Sequence, residues 1–285
     1  MTAGHTAGHT AAAADLEILF RDPQLLAVNK PAGVAVHGAN SLTGRVRQLL
    51  AGGEATSLSF RPGPLHRLDK PTTGVLVFGV SLEGAKRFSA ALKERRLTKL
   101  YLGLLTGRLE GPERWEDSLA GEKGEQYADL SLEPIIRFDG ATLAACLPHT
   151  GRTHQIRRQA ALRGHALLGD HAYQDRSGLH GAGDAGAPRL RGGYILHALS
   201  LSAPEEAGLG FSSIFAPFPE PAANRLGAWV GENQTVELAV SSGTLRDRLI
   251  RPIERLAEEV GSGAFLLTAA AAEVHDLRDQ LHGAR

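Results

Sequence analysis

The chain has 285 residues, with 31 Lys and Arg against 31 Asp and Glu, 42% hydrophobic and only 5% aromatic side chains. That length suits one large domain or two modest ones with an aliphatic core. The one cysteine, Cys146, excludes an intramolecular disulfide framework and fits a reducing compartment, and no run reaches the ~18 apolar residues of a membrane span. Taken whole, zero formal charge argues against a nucleic-acid partner, but the charge is segregated. Residues 61–101 hold nine Lys/Arg against three Asp/Glu and residues 151–191 seven against three, whereas 110–139 hold three against nine and 202–285 seven against twelve. Local potential attracts phosphate, so two basic segments on one face would suit RNA.

In chain order, residues 1–14 repeat Thr-Ala-Gly-His and run into alanine without the basic start of a signal peptide; they predict a disordered leader on a cytoplasmic protein. Short apolar runs predict strands at 16–20, 25–29, 34–37 and 75–80. Ser81 is placed to cap a helix reaching about Leu97, with Leu82, Ala85, Phe88 and Leu92 on one stripe. Further strands follow at 100–106, 130–136 and 142–147, then a helix over 153–163 stopped by Gly164. Glycine-rich residues 176–193 predict a long loop, and 194–202 another strand. Residues 244–260, interrupted at Pro252, and 265–281 predict two amphipathic helices. Strands that outnumber helices without βαβ alternation indicate an α+β fold with a mixed, mainly antiparallel sheet and flanking helices. The expected organisation is a leader at 1–14, a main domain at 15–220 and a helical extension at 221–285.

Several common chemistries have no signature here. The phosphate-binding loop, the Gly-x-Ser-x-Gly elbow and a strand-linked Gly-x-Gly-x-x-Gly are absent, and the twelve histidines form no His-Glu-x-x-His. Two segments concentrate chemistry. His66-Arg-Leu-Asp-Lys-Pro-Thr-Thr-Gly74 places Asp69 between Arg67 and Lys70 in a Pro/Gly turn that leads into an apolar strand. Such a carboxylate serves either as a reactive group on a rigid edge or as a turn residue paired with its basic neighbours. Thr150-Gly-Arg-Thr-His-Gln-Ile-Arg-Arg158 carries three arginines into a helix N-terminus, where cations oppose the dipole and call for an anionic partner.

The first segment resembles the His-Arg-Leu-Asp-x-x-Thr-Ser-Gly motif of the RluA-type RNA pseudouridine synthases. The resemblance continues in order through Asn29-Lys-Pro-Ala-Gly33 with Val36-His37, Lys99-Leu-Tyr101, Thr150 to Arg157, Gly164-His165 through Leu168-Gly-Asp170 to Tyr173, and Leu196-His-Ala-Leu199. It spans roughly residues 16–215; Thr73 stands for the motif serine, Gln159 for a frequent histidine and Ala166 for a frequent proline.

This resemblance implies a catalytic domain of the pseudouridine synthase type that isomerises uridine in tRNA or 23S-type ribosomal RNA, without cofactor or metal. Asp69 would carry the chemistry, attacking C1′ or removing a ribose proton. Arg157 would hold Asp69 oriented, and Tyr101 would lie against the base as candidate for C5 proton removal, with Ile156 packed on its ring. Arg67, Lys70 and Arg152 would contact phosphate, with Arg95, Arg96 and Lys99 extending the track; plain helix surface is an equal reading of Arg95 and Arg96. His66 and His154 would fix the two turns by hydrogen bonds, and the target base would be flipped out. Two other readings compete: a non-catalytic RNA-binding or assembly factor on the same fold, and a glycosidase using Asp170 as second carboxylate. With no heptad or exposed apolar stripe, a monomer without membrane attachment is expected.

Overall fold

The computed structural model describes residues 16–51, 60–122, 124–174, 190, 192–219, 221–222, 225 and 237–238. The predicted leader, the C-terminal helices and most of the glycine-rich loop lie outside them. The described chain divides into two compact units: residues up to Thr98 with Ser200–Ala216, and Lys99–Leu199 with the described residues from Pro217 onward. Among the described residues, no helix is long and apolar enough to cross a membrane.

In the first unit, β1 (Ile18–Arg21) pairs with β2 (Leu25–Lys30), and β2 with β4 (Thr73–Gly79) from Leu25 opposite Gly79 to Lys30 opposite Gly74. The two-residue β3 (Gly63–Pro64) adds to the end of β4, and β10 (Ser213–Phe215) pairs with Ser200–Ser202 of β9 (Leu196–Ser202). All these pairings are antiparallel. Alternation sends Leu25, Ala27, Val75 and Val77 to one face, where they meet Phe88 and Ala91 of α2 (Leu82–Lys93) and Leu201 and Ile214.

Ser81 caps α2 as the sequence predicts, accepting from the Gly84 N–H at 3.0 Å. The helix ends earlier than predicted. Arg95 takes a left-handed φ of 57°, and the Arg96 and Arg95 N–H groups bond back to Ala91 and Leu92, closing the last turn. Leu82, placed on the buried stripe from sequence, is 56% exposed; Gly84, Phe88 and Ala91 face the core. Residues 34–37 are irregular and bent rather than a strand, because the carbonyls of Ala35 and Val36 accept from Leu42 and Thr43 at the head of α1 (Leu42–Ala51).

The second unit is built on the antiparallel run β5 (Thr98–Thr106), β8 (Ala141–Pro148), β7 (Gly124–Phe138) and β6 (Glu113–Gly121), with β11 (Glu237–Leu238) also on β7. One face gathers Leu100, Leu102, Leu104, Leu143 and Leu147 with Leu199 and Phe218. The other carries Leu105, Leu130, Leu132 and Cys146 against Ile156 and Ala160 of α3 (Gln155–Leu162), with Tyr101 at its margin. Cys146 is fully buried, as its strand position predicts, and burial pushes its thiol up to about 12. Gly164, with φ +76°, ends α3 as predicted.

Candidate active site

Asp69 lies half-buried on the turn between the His66 strand approach and β4, with Arg67 and Lys70 exposed on either side. The backbone of this turn is fixed from below. The Lys30 side chain, fully buried at the end of β2, sends its ammonium to the carbonyls of Thr72 at 2.8 Å, Lys70 at 3.0 Å and Pro31 at 3.0 Å. The Thr72 N–H closes the turn on the Asp69 carbonyl at 3.1 Å, and the Gly33 N–H reaches the Lys70 carbonyl at 2.9 Å. Burial brings Lys30 down to about 8, with the Asp69 carboxylate opposing that shift. His66 accepts the Val77 N–H on Nε2 at 3.1 Å and stacks on Phe88, which ties the start of the motif to β4 and α2.

Tyr101, Arg152, Ile156 and Arg157 belong to the second unit. Tyr101 sits opposite Cys146 on the face of β5 that carries α3, and Ile156 belongs to the cluster it packs against. Lys99, two residues earlier, is half-buried, which lowers its pKa; it approaches the Gly151 turn.

The Thr150–Arg157 turn is organised by Gln155. Its Oε1 accepts from the Thr150 hydroxyl at 2.8 Å and the Arg152 N–H at 2.9 Å, while its Nε2 donates to the Asp129 carbonyl at 2.9 Å. His154, in a left-handed conformation at the head of α3, shares a 2.9 Å hydrogen bond with the Tyr173 hydroxyl. Gln159, the residue standing for histidine, is fully buried and donates to the Trp115 carbonyl at 2.9 Å and to Asp117 at 2.6 Å, anchoring α3 to β6.

All three arginines at this helix start have partners inside the protein, and for Arg157 that partner is an anion. The Arg152 Nε donates to the Tyr127 carbonyl, Arg158 to the Ala120 carbonyl, and Arg157 pairs with Asp170. Arg152 therefore has one N–H committed to a strand carbonyl. Asp170, a candidate second carboxylate from sequence, gives both oxygens to Arg157 and is 2% exposed, an ill-suited setting for an acid that must reach a leaving group.

Two groups of residues escape sequence reasoning. Lys30 was visible only as part of a motif, since a lysine at a strand end is ordinarily exposed. Gln155 and Asp170 carry no signal of their partners, which lie at positions 129 and 150 and at 157.

Residues 24–162 match the family described as RNA pseudouridylate synthase. The tRNA pseudouridine synthase C of Pasteurella multocida is 33% identical over 186 residues, with 56% of this chain and 75% of the relative covered. The ribosomal large subunit pseudouridine synthase D of Nitrosomonas europaea is 35% identical over 179 residues, with 58% of this chain and 52% of the relative covered. The structure of human RNA pseudouridylate synthase domain containing 4 superposes with a TM-score of 0.60 at 22% identity, covering 79% of this chain and 95% of that one.

Proposed function

The chain belongs to the RluA-type RNA pseudouridine synthases, isomerases that act on RNA, and we propose that Asp69 carries its chemistry on a uridine of tRNA or large-subunit ribosomal RNA. The N1–C1′ bond of the target breaks, the uracil turns, and C5 bonds to C1′. The C5 proton leaves and N1 ends protonated, so the composition of the RNA is unchanged. Asp69 acts on the ribose. Arg157 orients it, and Tyr101, with Ile156 against its ring, lies beside the base and serves the C5 proton directly or through water.

Arg67 and Lys70, exposed beside Asp69, contact phosphate, and Arg152 does so with the N–H groups not given to Tyr127. His66 holds its turn rather than moving protons. The catalytic body is residues 15–220, active as a monomer.

The observation that carries this reading is the Asp69 turn itself: a half-exposed carboxylate whose backbone is clamped by one buried ammonium, within the span that matches the family. The test is tritium release from RNA labelled at uracil C5, with tRNA and ribosomal RNA transcripts offered separately. Wild type is expected to release label from one pool, and Asp69→Asn to fall by about a thousandfold or more while still binding RNA. Release by Asp69→Asn at the wild-type rate would sink the assignment, and RNA binding without release by wild type would favour the binding-factor reading.

A further inference from the structure

The segment after α3 follows β5. The Leu168 N–H reaches the Leu104 carbonyl and the Thr106 N–H the Ala166 carbonyl, each at 2.8 Å. It then turns at Gly169, where φ is +87° and a Cβ would stand 3.1 Å from the Gly193 carbonyl, so a side chain there would be strained. This turn delivers Asp170 beneath α3. Its Oδ2 lies 2.6 Å from Nε of Arg157 and its Oδ1 2.9 Å from Nη2. The same guanidinium lies over the Tyr173 ring at 4.8 Å and over the Tyr194 ring at 4.7 Å. Tyr173 is itself held by His154.

Three side chains thus converge on one arginine, and a fourth, His154, holds one of them. A buried ion pair is a poor way to gain stability, since apolar residues of the same volume commonly hold a core as well. What the arrangement does supply is direction. A bidentate carboxylate fixes the plane of a guanidinium, and aromatic rings against it restrict sliding and tilting. Asp170 takes two of the five N–H donors, both on one edge, so the opposite edge has a set heading.

We infer that Asp170, with Tyr173 and Tyr194, is the positioning assembly for Arg157, setting the heading of its guanidinium for the reaction. The inference rests on the role proposed above for Arg157. It concerns residues that act through the arginine and touch neither RNA nor the reacting atoms.

The experiment compares single-turnover tritium-release rates and RNA dissociation constants for Asp170→Asn, Arg157→Met, the double variant, Tyr194→Phe and Tyr194→Leu. A single-turnover rate constant at saturating enzyme is independent of the active fraction, so partial unfolding alone leaves it unmoved. Asp170→Asn is expected to lower the rate about 100-fold with RNA affinity within about twofold of wild type. The double variant is expected to be no slower than Arg157→Met. Tyr194→Leu should lose about tenfold and Tyr194→Phe recover it, because it is the ring that lies over the guanidinium.

Losses in the double variant that multiply would show Asp170 acting independently and overturn the inference, as would a wild-type rate for Asp170→Asn. If Asp170→Asn fails to fold, the Tyr194 pair decides: Leu slow and Phe restored supports the assembly, and equal rates overturn it. A wild-type rate for Arg157→Met would instead remove the arginine from the mechanism, a failure of the underlying reading that the other variants do not mimic.

Discussion

The two turns that carry the proposed chemistry are held by opposite strategies. Around Asp69 the protein fixes the main chain: a buried Lys30 binds three carbonyls and the reactive side chain is left half-exposed on the frame. Around Arg157 it fixes the side chain itself, with a carboxylate on one edge and two rings nearby. A short carboxylate has few rotamers, so placing its Cα places its oxygens. A long guanidinium has many, and only contacts at its head remove them.

The largest effect is expected at Lys30. Lys30→Met keeps the volume of the stem but leaves the carbonyls of Pro31, Lys70 and Thr72 without their donor. At about 1 kcal/mol for each lost bond, partly offset by relief of the desolvation the ammonium suffers, the first unit should lose about 2 kcal/mol. Tritium release should fall far more than that stability loss explains, because the Asp69 backbone loosens. Denaturant unfolding and single-turnover rates measured on the same preparation check this. A variant that is destabilised but fully active would mean the turn holds its shape without the ammonium.

The same residue gives the comparison a pH signature with two opposite signs. Folded Lys30 releases its proton near 8, whereas in the unfolded chain it does so at its ordinary value of 10.5. Between those limits the unfolded state binds more protons, so the contribution of Lys30 to stability rises with pH. Activity should move the other way. A neutral amine has two N–H donors for three carbonyls, so the rate is expected to decline several-fold above about pH 8 while the melting temperature shows no matching drop. In Lys30→Met that inflection should vanish. An inflection that survives the substitution belongs to another group.

How much of this was readable from sequence differs between the halves for a physical reason. Local signals came through: the Ser81 cap, the strands over 25–29, 75–80 and 142–147, and the Gly164 stop are decided by neighbouring residues. The strand β6 did not, because Glu113, Glu116 and Asp117 make it look like solvated surface; only Trp115 and Leu119 turn inward, and Asp117 is paired with Arg163 of the α3 cap. Helix α1 was hidden by Gly44, which interrupts its helical pattern. In the site, motif residues were identifiable one by one, but their supports were not. Asp170 meets Arg157 across 13 positions and Lys30 meets Thr72 across 42, distances at which composition and periodicity carry no information.

The smallest effect is expected where two helices end. Helices α2 and α3 close with the same geometry: a left-handed residue, a bond from its N–H to the second-last carbonyl, and one from the next N–H to the carbonyl one residue further back. In α3 that residue is Gly164, whereas in α2 it is Arg95, with φ 57° and its side chain exposed. An L-residue pays roughly 1 kcal/mol for this conformation, and part of it is returned when the unfolded chain gains the freedom of glycine. Arg95→Gly is therefore expected to stabilise the protein by about 0.5 kcal/mol. Arg95 lies in the basic stretch 61–101, so the same variant also tests whether its charge meets RNA. The variant should bind its RNA more weakly, with a salt dependence shallower by about one phosphate contact. Weaker binding together with higher stability would place Arg95 on the RNA track. A gain in stability with unchanged affinity and salt slope would make it plain helix surface, leaving the Asp69 turn with Arg67 and Lys70 as the RNA-facing cations of the first unit.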